Sequence, residues 1–228
     1  MGVLDARVAG GPLNLGRGKQ RALLAVLLLH ANAAVGSDEL IDALWPSVLP
    51  VRARKSLQLS VSRLRALIGA ERLATTPDGY RLRVEPGQLD VLEFERLTTV
   101  SRELLGAGDE RGAEAALAEA LALWRGPALA EFRYASFAQE PIRHLEEARD
   151  TARADLVDVR ITLARESEVL SELEGLISEH PYWERLRRSQ MLALYRVGRQ
   201  ADALAVFRET RRLLADELGL EPGPELQQ

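Results

Sequence analysis

The segment Arg52 to Ile68, RARKSLQLSVSRLRALI, constrains this chain more than any other. Read at the helical period, Leu57, Val61, Leu64 and Ile68 form one apolar stripe. The opposite side carries Arg52, Lys55, Gln58, Leu59, Ser62 and Arg63, with Arg54 and Arg65 at its edges, and the segment contains no acidic residue. A helix that buries one face and turns cations, amides, hydroxyls and one aliphatic outward suits an anionic partner. The same mixture suits base edges: Arg or Lys for guanine, Gln for adenine, an aliphatic group for a thymine methyl. It is the pattern of a helix that reads DNA.

The flanking sequence gives that helix a setting. Val3 to Leu15, broken by Gly10, Gly11, Pro12 and Gly16, reads as one or two short strands. Lys19 to Ala31 is a compact helix, apolar almost all round after Arg21, and belongs at the centre of a core. Ser37 is a fitting N-cap for the next helix, DELIDALW, which Pro46 ends. Gly69 closes the basic helix. In RLATTPDGYRLRV, from Arg72 to Val84, two β-prone runs flank Pro-Asp-Gly, a hairpin signal. A strand, three helices and a hairpin are the layout of a winged helix-turn-helix, in which the last helix before the wing reads the groove.

The texture changes near Glu85-Pro86-Gly87. Beyond Asp90 the periodicity predicts only helices, over 91–106, 109–124, 136–165, 168–179, 182–197 and 200–218. The last pair meets at Gly198. Its Tyr195, Gly198, Ala203 and Phe207 resemble a tetratricopeptide unit. The fold expected is mainly α: a winged helix over 1–86 with short strands and a wing hairpin, then an all-α stack of tetratricopeptide-like hairpins over 90–228. Trp124, Trp183 and Tyr195 are expected in the hairpin cores.

Charge follows the same division. Residues 1–86 hold 12 Lys and Arg against 7 Asp and Glu, and the remainder holds 18 against 27. A basic half joined to an acidic half fits a nucleic-acid reader coupled to a part that avoids nucleic acid. The chain has no cysteine and only three histidines, so thiol chemistry is excluded and a zinc cluster is not expected. No metal or cofactor is expected. The longest apolar run, Ala22 to Leu29, is far short of the ~20 residues that span a bilayer, and no leader pattern is present, so no membrane partner and a cytoplasmic location are expected. The Gly-rich stretch before Lys19 lacks phosphate-loop spacing, and GxSxG and HExxH are missing. No catalytic role is expected.

GKQRALLAVLLLHAN, ELIDALWP, ARKSLQLSVSRLRALIG and PDGYRLRV together resemble an OmpR-type winged helix. LDVLEFERL, ALALWRGPAL, ISEHPYWERLRRSQMLALYRVGRQADAL and DELGLEPGPEL resemble a bacterial transcriptional activation domain. In this order, over essentially the whole chain, they resemble the Streptomyces antibiotic regulatory protein family. The resemblance implies an activator of secondary-metabolite (antibiotic) gene clusters. It also implies a homodimer on promoter direct repeats of double-stranded DNA, and recruitment of RNA polymerase holoenzyme through its sigma factor and neighbouring subunits. The loop of Ser47, Val48, Leu49, Pro50 and Val51 is where OmpR-type activators face polymerase. Packing against its own domain is the alternative.

Lys55, Gln58, Leu59, Ser62 and Arg63 are the base-reading candidates. Leu59 either meets a base edge or is simply an exposed leucine. Arg52, Arg54 and Arg65 are placed for phosphates. Lys19 and Arg21 either add backbone contacts or form a local cluster at the start of their helix. Arg81 either enters the minor groove or flanking backbone, or faces solvent. Two other readings stay open: a protein-interaction scaffold dominated by the helical half, and the N-terminal part of a larger ATP-dependent regulator.

Overall fold

The computed structural model describes residues 1–8, 11–16 and 18–227; Gly10, one of the expected strand breaks, lies outside them. Strands β1 (Arg7–Val8) and β2 (Gly11–Pro12) pair antiparallel. Helix α1 (Lys19–Leu29) buries five successive residues, Leu23 to Leu27, so the all-round apolar run does sit inside a core. Helices α2 (Ser37–Leu44) and α3 (Ala53–Ile68) pack on it and on each other. The stripe Leu57, Val61, Leu64 and Ile68 is buried in the same cluster as Leu23, Leu27, Leu40 and Leu73. Gly69 takes φ 98° and donates its N–H to the Arg65 carbonyl, which ends α3 at the glycine expected to close it.

One local expectation is corrected. Ser37 makes no side-chain cap; it is the first helical residue, and Gly36 precedes it in extended conformation. The cause is a strand the sequence did not announce. Ala34–Gly36 forms β3, pairing with β5 (Gly79–Leu82), which pairs in turn with β4 (Leu73–Thr75). Three residues carry too little pattern to predict a strand; the open edge of β5 makes it one. Gly79 is required at this junction. A Cβ there would stand 1.9 Å from the Val35 carbonyl oxygen. At the other end of β3 the chain turns through Asn32, at φ 66°. The Asn32 N–H donates to Leu82, its side-chain amide donates to the Val84 carbonyl at 3.0 Å, and its Oδ1 accepts the Val84 N–H at 2.9 Å. The side chain thereby extends the ladder by one rung.

Six longer helices follow: α4 (Asp90–Gly106), α5 (Glu110–Ala122), α6 (Ser136–Thr162), α7 (Glu166–Glu179), α8 (Glu184–Arg196) and α9 (Gln200–Leu218), with a short α10 (Pro224–Gln227). Their limits lie within a few residues of those predicted. Compact packing does not divide at the composition break. One unit is Met1–Arg96 with Ala122–Ala148, and the other is Leu97–Leu121 with residues from Arg149 onward.

In the first unit, a 3-10 turn at Ala130–Phe132 presents Glu131 to α1. Its carboxylate accepts from Arg21 at 2.5 Å and from the Leu4 N–H at 2.9 Å. The hydrogen bond from Arg21 outweighs burial and holds the Glu131 carboxyl below the usual carboxylate range, with help from Leu4. Trp124 is half-buried, edge-on to Phe94 with centroids 5.6 Å apart.

The second unit repeats one device. Gly108, Ala164 and Gly198 each take positive φ, at 77°, 60° and 81°. At each, the turn residue's N–H bonds the carbonyl three residues back, and the next N–H bonds the one five back from itself. These are the same helix-end closure three times over. Five, nine and twelve residues on, buried positions recur: Ala113, Leu117, Ala120; Val169, Leu173, Leu176; and in the last hairpin Ala203 and Thr210, with Phe207 half-buried beside the buried Val206. Ala164 and Gly198 stand 34 residues apart, the tetratricopeptide period. Arg185 of α8 links to α6, reaching Asp155 at 2.6 Å and Asp158 at 2.7 Å. Burial opposes its charge, but these carboxylates prevail and raise its pKa above the usual guanidinium value. Trp183 packs on the α6–α7 core as expected. Tyr195 does not: it is 60% exposed, and the adjacent Leu194 is the buried one.

Candidate nucleic-acid interface

Helix α3 presents the outward face its sequence implies. Arg52, Lys55, Gln58, Leu59, Ser62 and Arg63 are all exposed. Among the described residues, Lys55, Gln58, Ser62, Arg52 and Arg63 have no side-chain hydrogen bond or ion pair. Leu59 is 53% exposed in their midst. A solvated apolar side chain among unpaired cations gains nothing from its own fold.

The flanking cations separate into engaged and open groups. Arg54 meets Asp38 at 3.2 Å, but both side chains are more than three-quarters exposed, so the pair contributes little. Arg65 is committed: its Nε donates to the Leu73 carbonyl at 2.8 Å and its guanidinium to Thr75 Oγ1 at 2.7 Å. It fastens the end of α3 to β4 and so holds helix and wing in one orientation. Lys19 lies 4.4 Å from the Trp45 ring centroid, an attraction between a cation and a π face. Arg21 is held by Glu131, so its open role at the start of α1 is a structural one. Arg81 is exposed, opposite Ala74 on one side and Ala34 on the other.

The loop before α3 is exposed and apolar. Val48, Leu49 and Val51 are 79%, 60% and 103% exposed. Ser47 is exposed with them, and Pro50 is half-buried.

Sequence reasoning missed two cations, Arg72 and Arg83. Leu73 pairs with Leu82, and the Arg83 N–H donates to the Arg72 carbonyl at 2.7 Å, so the two arginines stand directly opposite. The alternation Arg81-Leu82-Arg83 was visible, but their pairing needed the hairpin register.

In the second unit Asp150, Glu179 and His180 come together. Arg153 binds Glu179 at 2.6 Å and Asp150 at 3.5 Å, and His180 Nε2 lies 2.8 Å from Asp150. Arg153 pairs with both acids, so the cluster is a local polar network already tied together by a guanidinium. Among the described residues no helix is long and apolar enough to cross a membrane.

The Bacterial transcriptional activator domain family matches residues 89–228, and the family described as Transcriptional regulatory protein, C terminal, matches residues 11–82. Over 214 residues the chain is 40% identical to Regulatory protein AfsR of Streptomyces griseus, covering 94% of this chain and 22% of AfsR. It is 35% identical over 228 residues to Transcriptional regulator RedD of Streptomyces coelicolor, covering 96% of this chain and 64% of RedD. The solved structure of Mycobacterium tuberculosis EmbR in complex with low affinity phosphopeptide superposes with a TM-score of 0.94 at 37% identity, over 99% of this chain and 61% of that one. The chain therefore spans less than two thirds of each of these relatives. An OmpR-type winged helix followed by this helical domain defines a transcriptional regulator. The chain belongs to the Streptomyces antibiotic regulatory protein family.

Proposed function

We propose that this regulator binds promoter DNA sequence-specifically through α3 and activates transcription by holding RNA polymerase there. The observation that carries the reading is the unpaired, acid-free face of α3, with Leu59 exposed at its centre. Lys55, Gln58, Leu59, Ser62 and Arg63 read bases in the major groove, while Arg52 and Arg54 meet phosphates. The wing lies alongside with Arg81 toward the backbone or minor groove, and Arg65 keeps helix and wing aligned. The apolar loop of Ser47 to Val51 supplies a surface for polymerase and its sigma factor. The DNA-binding part falls within 1–86 and the effector part within 90–228. Two copies on a direct repeat, in the cytoplasm, upstream of an antibiotic biosynthetic cluster complete the reading.

The test is affinity selection of genomic fragments, read by sequencing, with Lys55→Ala/Arg63→Ala protein beside the unaltered chain. The expected result is a promoter-proximal direct repeat, lost in the variant. Arg63→Ala alone is expected to reduce discrimination at one base pair by about 1–3 kcal/mol. Uniform, salt-sensitive recovery from both proteins would show that the face supplies only attraction to the backbone.

A further inference from the structure

The first unit contains a cleft of about 1090 Å³, just above the range for small-molecule sites of roughly 300–1,000 Å³. Its apolar lining includes Leu28, Leu29, Val84 and Leu92. Arg72 and Arg83 also line it. As directly opposed residues of an antiparallel pair, their Cβ atoms stand roughly 4.5–5.5 Å apart, and like charges so placed repel. Neither side chain has a hydrogen-bond or ion-pair partner among the described residues. Several of the cleft's acids are already engaged: Asp5 and Asp90 by Arg125, and Glu93 by Arg96.

We propose that this cleft binds an amphipathic small molecule bearing one carboxylate, sulfonate or phosphate group. The two guanidinium groups grip the anion, a geometry to which arginine is suited, and the apolar lining takes the body of the ligand. The anion relieves what repulsion there is between the arginines. A lone charged pair would point to any polyanion and a lone apolar lining to any greasy surface. Their convergence on one concave site selects a molecule with both properties. The proposal goes beyond the reading of α3 and stands or falls separately from it.

The test uses 8-anilinonaphthalene-1-sulfonate, an aromatic sulfonate that fluoresces in apolar surroundings, with the whole 228-residue chain. Saturable binding at one equivalent is expected, with displacement by decanoate and not by decan-1-ol. Arg72→Gln/Arg83→Gln should raise the dissociation constant about tenfold or more. Arg81→Gln, which removes a charge from the same sheet outside the cleft, should leave it unchanged. Both altered arginines of the double variant are exposed, so its thermal midpoint should not fall. Non-saturating fluorescence, equal displacement by decan-1-ol, or an equal effect of Arg81→Gln would overturn the proposal. So would a double variant that keeps dye affinity but loses affinity for duplex DNA, because the pair would then serve phosphates.

Discussion

The wing and the helical hairpins meet the same problem, reversing the chain tightly, in opposite ways. The wing uses contacts found once. Gly79 admits the Val35 carbonyl, Arg65 straps α3 to β4, and Asn32 supplies a rung from its side chain. The hairpins use one closure three times, at Gly108, Ala164 and Gly198. A surface that must keep a helix and a wing in fixed relation depends on singular residues, whereas a stack tolerates variation because each turn asks only for a left-handed residue.

The sharpest break in this contrast is Gly79→Val. With no room for Cβ, β3 and β5 must separate, at a cost of about 3 kcal/mol or more. Urea unfolding should record the loss, and DNA affinity should fall with it. The equivalent insult to the stack is Leu173→Ala, a fully buried position of the second hairpin. It should cost about 2–5 kcal/mol by leaving a cavity, measured in the same way. A loss as small as that of a surface substitution would mean that the hairpin core had collapsed around the gap.

Acid probes the clasp at Glu131. Its folded pKa is depressed, chiefly by the Arg21 hydrogen bond. The stability it contributes is therefore complete above the unfolded value of about 4.3 and is lost as pH falls through the lower folded value. Glu131→Gln should flatten the acid limb of the thermal midpoint below about pH 5 and leave its shape near neutrality unaltered. An unchanged acid limb would remove the clasp from the account. The smallest effect expected is a gain. Ala164 holds the left-handed conformation that glycine holds at the other two turns, so Ala164→Gly should stabilise by about 1 kcal/mol. Denaturant midpoints would register it; a decrease would mean that the three turns are not equivalent.

What the sequence made legible was whatever is local. The buried stripe of α3, the outward face from Arg52 to Arg63, the Pro-Asp-Gly hairpin and six helix spans follow from periodicity and punctuation within short windows. What it concealed depends on partners distant in the chain. β3 exists because β5 has an edge to fill, and Arg21 is claimed by a residue 110 positions away. Arg72 and Arg83 oppose one another only once the register is known. Tyr195 was placed inward by its likeness to a repeat position, yet the register set by Gly198 buries Leu194 instead. A motif match one residue out of phase is enough to exchange core for surface.

Asn32 closes the β3 end of the sheet with an amide side chain where a peptide group would ordinarily serve. A peptide group is chemically durable, but an asparagine amide hydrolyses over time to a carboxylate. The product would keep an acceptor for the Val84 N–H and lose the donor to the Val84 carbonyl, setting two oxygens against each other. This rung of the ladder is thus the one at which the wing can age.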